Sequence, residues 1–324
     1  MNTNRQYRIY SQKFLNPLKT AHGLWKQRDS IILREENELG RISFGEICPT
    51  PGFINEKISS FFPMIEDWQR GGVPSGNTLF KSAISCLRNE IWDLSFEGNH
   101  SPAVFSAELV TGNSTLNGEP TVYKKKIGLS SPEFEIPKIS EYLDSICDQS
   151  SVRLDANESL SIEELYRWDK AFGKEDRIEF IEQPLRREEI DQLFQMDKEL
   201  QISLALDESL VWKNDFSFFE TNGWAGFYIV KPVLFEDWDK MLTFIRARSD
   251  RVVVSTTFES PFGYEAVCRC ASLSNQVAGL DRSLYEQSDF EFPNHHLNPL
   301  FPSTISSQSL DHLWNNLCVL ISKT

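Results

Sequence analysis

Residues 152–232 contain V-R-L-D-A-N (152–157), I-E-F-I-E-Q-P (178–184), L-A-L-D-E-S (204–209) and F-Y-I-V-K-P (227–232). These are four apolar runs that end on the ionisable residues Asp155, Glu182, Asp207 and Lys231. A charged side chain straight after an apolar run gains nothing for folding, because it must be desolvated at the rim of the core. One such acid alone reads as a helix cap or a loop-solvating residue. Three at consecutive strand ends, 27 and 25 residues apart, point to chemistry instead. Polar helical segments separate the runs, the rhythm of βα units on a parallel sheet. In a closed parallel barrel all strand C-termini share one face, so the three acids converge.

Outward from this stretch, further strands are expected at Phe105–Val110, Val122–Ile127, Val252–Ser255 and Ala278–Asp281, which with Val152–Asp155, Ile178–Glu182, Ile202–Asp207 and Gly226–Lys231 make eight. Helices are expected at Ser161–Phe172, opened by an S-x-x-E capping box, and at Arg187–Glu199. Upstream, Tyr7–Phe14, Ile31–Arg34 and Arg41–Ile47 read as strands, followed by helices over Asn55–Gln69 and Asn77–Leu94. That is an α+β pattern. A last helix, Ser307–Ile321, is expected to pack back on the N-terminal region.

Three converging carboxylates repel one another unless a cation neutralises them. All-oxygen ligation, with no histidine or cysteine following the pattern, selects Mg²⁺ over zinc, and Mn²⁺ is expected to substitute. In T-V-Y-K-K-K-I-G (121–128), strand alternation sends Lys124 and Lys126 to one face and Lys125 to the other. Three consecutive lysines are ordinarily a solvated face; their place one strand before Asp155 favours a role beside the metal. Lys126 and Lys231 would then flank a substrate from opposite sides. Mutual repulsion and the cation are expected to depress their pKa values, as a base working near neutral pH requires.

Composition bounds the partners. Thirty-three basic against 47 acidic residues give a net charge of −14, which disfavours nucleic acid and anionic lipid surfaces; an anionic small molecule is expected to bind only where a metal or local lysines reverse the sign of the field. Six scattered cysteines without a metal-binding spacing read as reduced thiols. The N-terminal stretch has no apolar signal-peptide core and no apolar run is long enough to span a membrane, so a cytoplasmic location is expected.

The set K-K-K (124–126), D-A-N at Asp155, E-Q-P at Glu182, D-E-S at Asp207 and K-P at Lys231 resembles the enolase superfamily, in its muconate-lactonizing-enzyme-like branch. The resemblance implies an α/β fold: a (β/α)7β TIM-like barrel over 101–289 and an α+β capping domain over 1–100, with the tail 290–324 packing on the cap. It also implies Asp155, Glu182 and Asp207 as ligands of Mg²⁺ and Lys126 and Lys231 as the catalytic pair. Within that branch, P-L-K-T-A-H-G-L-W-K-Q-R (17–28), F-G-E-I-C-P-T-P-G-F (44–53), the Arg153 that precedes Asp155, and S-T-T-F-E-S-P-F-G (255–263) are similar to o-succinylbenzoate synthases of menaquinone or phylloquinone biosynthesis. Thr256 departs from the second Ser of the family pattern.

That similarity implies syn-dehydration of 2-succinyl-6-hydroxy-2,4-cyclohexadiene-1-carboxylate to 2-succinylbenzoate. Lys126 would serve as base and then as acid on one face, Lys231 would stay charged on the other, and Lys124 would help to set the pKa of Lys126. Lys124, Arg153, Thr20, His22, Gly23, Gly52, Phe53, Ser255, Ser260 and Gly263 would contact the substrate. The rivals are an N-acylamino acid racemase or dipeptide epimerase using the same five residues, and a catalytically silent barrel that binds a carboxylate. Dipeptide epimerases typically carry D-x-D after the last strand; here Asp281 has Ser283 in place of the second Asp, which argues against the dipeptide reading and leaves N-acylamino acid racemisation open, and retention of all five residues argues against a silent barrel.

Overall fold

The computed structural model describes residues 3–20, 23–73, 75–94, 104–110, 121–282, 284 and 307–317. Strands β1 (Asn4–Thr20) and β2 (Gly23–Glu36) form an antiparallel hairpin, and β3 (Ile42–Ile47) adds to β2. The pairing runs out to Thr20 opposite Gly23, past an irregularity between Lys13 and Leu18. Apolar alternation marks only the buried base of this hairpin, Tyr10, Phe14 and Ile31–Leu33. The outer half has little buried face to impose a period of two, which is why the expected strands were shorter.

The cap helices also differ from expectation at their ends. A 3₁₀ turn over Ile58–Phe61 precedes α1 (Phe62–Gln69), whose start is set by Pro63, a residue without an amide that is tolerated only in the first turn. Helix α2 (Thr78–Arg88) begins under Asn77, whose carboxamide accepts from Leu79 N at 2.7 Å. Asn89 then turns extended and its side chain accepts from Ile91 N, so the one helix expected to Leu94 becomes α2 and a 3₁₀ turn over Glu90–Asp93.

The second unit is a parallel sheet of seven strands in sequential order: β4 (Glu108–Leu109), β5 (Val122–Lys126), β6 (Ser151–Asp155), β7 (Ile178–Glu182), β8 (Leu204–Leu206), β9 (Phe227–Val230) and β10 (Val252–Val254). Residues 278–279 close the ring, bridging Ser106 on one side and Ser255 on the other in parallel sense, as the eighth strand. Around it lie α3 (Pro132–Ser145), α4 (Ile162–Phe172), α5 (Ile190–Glu199), α6 (Glu208–Lys213), α7 (Phe216–Thr221), α8 (Trp238–Ala247) and α9 (Pro261–Ala271). Helix α4 has the capping box read from the sequence, Ser161 with Glu164, worth about 1 kcal/mol.

Inside the ring, Phe180, Ala205, Ile229 and Val253 form a small apolar plug of their own, separate from the continuous core shared by the helices and the cap. The inward side chains therefore fill the barrel as a packed floor rather than lining a pore.

Helix α10 (Ser307–Asn316) lies against the cap sheet, with Trp314 packed near Phe44 and Asp311 paired with Arg34 at 2.7 Å. No disulfide occurs among the described cysteines: Cys48, Cys86, Cys268 and Cys270 are buried, Cys147 is half-buried, and Cys318 lies outside the described residues. No helix among the described residues is long and apolar enough to cross a membrane.

Gly45 in β3 is needed for a close approach rather than a turn. A Cβ there would collide with the Ala83 carbonyl of α2, reaching 2.8 Å from its carbon. Gly45→Ala should cost about 1–3 kcal/mol of stability, seen as a lower urea midpoint at unchanged m. A wild-type midpoint would mean that α2 shifts without resistance.

Candidate active site

Strand register builds the site. Lys126 of β5 stands opposite Asp155 of β6, which stands opposite Glu182 of β7, so the three side chains rise from one level of the rim. One layer below, Lys124 is level with Arg153 and Phe180. Asp207 follows β8 and Lys231 follows β9, two strands farther round.

The carboxylates are bridged by ammonium groups. Lys124 Nζ lies 2.9 Å from Asp155 Oδ2 and 2.7 Å from Glu182 Oε1. Lys231 donates to Asp207 Oδ2, and the ring of Phe53, from the cap, covers its ammonium at 4.3 Å from the ring centre. Among the described residues Lys126 has no ion pair, and it is exposed to the cavity.

Burial and neighbouring charge set the protonation. Desolvation, with Asp155 adding repulsion, raises Glu182 to about 7 despite Lys124. Desolvation, reinforced by Asp207, raises Glu208 well above the carboxylate range. Burial pushes Asp155 up too, but Lys124 outweighs it and holds the group below its ordinary value. Lys124 and Lys231 are disfavoured as cations by burial, yet the surrounding carboxylates win and both are raised. The sequence expectation for Lys231 was a depressed value. With protein groups alone, Asp207 and Glu208 lie nearer to Lys231 in effect than any cation does, and the sign reverses.

A cavity of about 370 Å³ opens over these groups, within the range of small-molecule sites. Lys124, Lys126, Asp155, Asp207 and Lys231 line it, with Phe53 and Leu18 from the cap and Ser255, Thr256, Phe258 and Asp281 from the far rim. Asp281 accepts from Leu109 N at 2.9 Å; Ser283 lies outside the described residues. Glu182 sits just beneath the wall, 2 % exposed.

Several expected substrate contacts are placed elsewhere. Arg153 is buried under the site: it pairs with Glu179, donates to Val277 O at 2.7 Å and covers the Phe180 ring, so its guanidinium supports the barrel floor. Ser260 and Gly263 do not reach the cavity because both are turned to a cap carboxylate. Glu46 accepts from Ser260 Oγ at 2.6 Å, Ser260 N at 2.9 Å and Gly263 N at 2.9 Å, at the N-terminus of α9.

Gly52 contributes a carbonyl rather than a cavity surface. Thr20 and Gly23 form the end of the β1–β2 ladder, while His22 and the Thr20 side chain lie outside what is described; Leu18, two residues earlier, is the hairpin residue on the cavity wall. Thr256 lines the cavity, but its hydroxyl is engaged by Glu259 and by Phe258 N.

Other residues emerge only from the structure. Gln183, fully buried, accepts from Asp207 N at 3.1 Å and Ser209 N at 3.0 Å while donating to Ser209 Oγ at 2.7 Å, which aims Asp207. Asn157 and Glu208 line the cavity and meet at 3.3 Å. Asn157, Glu158, Gln183 and Phe258 all have positive φ; the remaining such non-glycine residue among those described, Asn214, ends α6. Backbone strain thus clusters on the rim, a feature of functional sites. The motifs D-A-N, E-Q-P and D-E-S contained these residues, but spacing alone points only to the acids.

The donor set suits a hard divalent cation. Asp207 Oδ1 and Glu208 Oε2 are buried without a hydrogen-bond partner among the described residues, a cost that a bound cation would remove. No three ligating side chains among the described residues already converge to coordination distance; Lys124 spans Asp155 and Glu182, and Lys231 holds Asp207. Binding an ion would require these lysines to move aside.

No family model matches the chain. It is 30 % identical over 275 residues to an o-succinylbenzoate synthase of Klebsiella pneumoniae, covering 79 % of this chain and 83 % of that protein. It is 28 % identical over 284 residues to that of Thermosynechococcus vestitus, covering 81 % and 86 %. Among solved structures, the o-succinylbenzoate synthase of Thermosynechococcus elongatus BP-1, complexed with Mg in its active site, superposes with a TM-score of 0.72 at 22 % identity, over 97 % of this chain and all of that one. The L-Ala-D/L-Glu epimerase of Bacillus subtilis superposes at 0.69 and 16 % identity, over 87 % and 90 %. The barrel and cap alone do not separate these activities.

Burial raises Glu46, Glu182 and Glu208 in the folded chain. The unfolded chain therefore releases those protons first, and the stability that depends on them is complete below about pH 4.3 and lost as pH rises through the folded values, about 7 for Glu182. In the presence of a chelator the melting temperature should fall between about pH 5 and pH 8. A flat or rising profile would contradict the raised values.

Proposed function

The chain belongs to the o-succinylbenzoate synthases of the enolase superfamily, and from that premise we propose that Lys126 and Lys231 carry out the dehydration of 2-succinyl-6-hydroxy-2,4-cyclohexadiene-1-carboxylate to 2-succinylbenzoate and water. The chain is accordingly an enzyme, a hydro-lyase. The observation that supports the division of labour is the unequal pairing of the lysines: Lys124 and Lys231 are tied to carboxylates, whereas Lys126 faces the cavity without an ion pair among the described residues.

Asp155, Glu182 and Asp207 are the residues that would hold Mg²⁺, with Mn²⁺ as a substitute. When bound, the ion supplies positive charge to the substrate carboxylate and makes the neighbouring C–H acidic. Lys126 Nζ takes that proton and returns it to the departing hydroxyl on the same face, so that C–H and C–O bonds break and water leaves as the ring becomes aromatic. One group serving as base and then acid means that a single lysine left outside the ion pairs suffices. Lys231 keeps its charge, through Asp207, and opposes the negative charge that develops on the substrate. Phe53 and Leu18 cover the cavity from the cap and exclude water.

The proposal includes a place in menaquinone or phylloquinone biosynthesis, a cytoplasmic location, and a small carboxylated substrate as the partner; the net charge of −14 supports the absence of nucleic-acid and anionic-membrane partners.

Incubating the protein and Mg²⁺ with the cyclohexadiene substrate should yield 2-succinylbenzoate. Incubation with N-succinyl amino acids in D₂O tests the racemase alternative, and exchange of deuterium there without dehydration of the first substrate would reject the synthase assignment. Lys126→Ala should lower kcat by at least about a hundredfold while leaving Mg²⁺ and product binding within about threefold. Appreciable residual turnover would move the base elsewhere. Mg²⁺ should also release protons on binding near pH 6, since Glu182 must ionise to become a ligand; calorimetry in two buffers reads this directly.

A further inference from the structure

The turn over residues 50–54 is the part of the cap that brings Phe53 onto Lys231, and it is held from two sides. From the cap, Arg28 donates to Pro49 O at 2.6 Å and to Thr50 Oγ1 at 3.0 Å. From the barrel, Arg187 Nη1 donates to Gly52 O at 2.8 Å. Arg187 follows the Glu182 strand by five residues and has no part in the chemistry proposed above.

Its guanidinium is fixed before it reaches the cap. Glu158 takes it in a two-pronged pair, Nε to Oε1 at 2.8 Å and Nη2 to Oε2 at 2.6 Å, and also accepts the Arg187 amide at 2.7 Å. A bidentate pair of this kind leaves the third nitrogen with one direction to point. Glu158 is itself set by the rim: Glu158 N donates to Gln183 O at 2.8 Å, Ala156 N to Glu182 O at 3.1 Å, and Ser209 Oγ reaches Arg187 O at 3.4 Å. Glu158 is in the left-handed region, φ 64°, so the direction of its carboxylate depends on this particular turn. A continuous set of hydrogen bonds thus runs from the loops after Asp155, Glu182 and Asp207 to a single carbonyl of the cap.

We propose that Arg187 is a positioning residue, a latch that fixes the 50–54 turn to the rim loops of the metal-binding strands and thereby seats Phe53 over Lys231. The proposal rests on the reading of this cavity as the active site. Without the latch, the turn keeps its inner bonds, Phe53 N and Ile54 N to Thr50 O at 3.0 and 2.8 Å, but its position over the cavity is set from the cap side alone. The loss should fall on substrate retention rather than on proton transfer, because Lys126 and the three acids are untouched.

Arg187→Met should raise KM about tenfold, the factor expected for one charge-assisted hydrogen bond, with kcat within about threefold of wild type. Arg187→Lys, which cannot serve Glu158 and Gly52 together, should lie between them. Glu158→Gln should weaken the same contact, and the double variant should be no worse than Arg187→Met alone, the non-additivity of a shared device. Hydrogen exchange of the Phe53 and Ile54 amides should quicken by at least about fivefold in Arg187→Met while helices α4 and α8 keep their wild-type rates.

Unchanged exchange over 50–54, or a loss confined to kcat, overturns the latch. Faster exchange spread evenly through the barrel would also overturn it, since that marks a structural role. If the wild-type protein does not turn over the cyclohexadiene substrate, the function proposed above fails and the exchange measurement still decides the latch.

Discussion

Carboxylates cannot be gathered at the rim of a barrel without positive charge between them, and much of this molecule is arranged around that constraint. Register sets Asp155 beside Glu182, and Asp207, just past the end of the next strand, is brought to them by its bond to Gln183. Two lysines meet the electrostatic demand, with Lys124 between the first two acids and Lys231 on the third. A pair between a half-buried Lys124 and these acids is weaker than its short distances suggest, because water still reaches the ammonium. The buried oxygens of Asp207 and Glu208 that find no partner among the described residues measure what the lysines leave undone.

The same constraint explains why the barrel was legible in the sequence. Apolar strands that end on charge are rare unless they face a site, so the positions of Asp155, Glu182, Asp207 and Lys231 carried the fold and marked the rim where the cavity opens. Lys124 and Lys126 were read onto one face by alternation, and the structure separates them by partner: Lys124 binds the acids, Lys126 does not. Ser260, Gly263 and Arg153, expected as substrate contacts, share one physical feature. Each is a polar residue beside the site whose hydrogen bonds are directed away from it, to Glu46, to Glu179 and to a backbone carbonyl. Sequence spacing reports proximity to a strand end, and it does not report the direction of a side chain. Gln183, Glu158 and Arg187 went unread because their roles depend on positive-φ turns and contacts across strands.

Polar contacts join the cap to the barrel at several places along their seam. Glu46, inside the cap sheet, caps α9, and α9 follows the loop that carries Ser255, Thr256 and Phe258 to the cavity. Phe14 of the long hairpin packs edge-on against Phe258, centroids 5.5 Å apart, and Arg282 donates to Gln12 and to Glu259 O. The hairpin, the far rim and the cavity wall therefore share contacts, so a change in the hairpin reaches the cavity without touching Asp155, Glu182 or Asp207. The proposed chemistry sits on the strand ends and the proposed recognition on the seam, a separation common to barrel enzymes.

The bond from Arg187 to Gly52 has a further property. It ends on a main-chain oxygen, which every residue type presents alike. Side chains at 51, 53 and 54 can then change size or polarity while the anchor persists, so long as the Thr50 hydroxyl and the left-handed position at Gly52 are kept. A loop held by its backbone is a socket for interchangeable side chains: it allows new substrates to be tried on an unaltered catalytic floor, one substitution at a time.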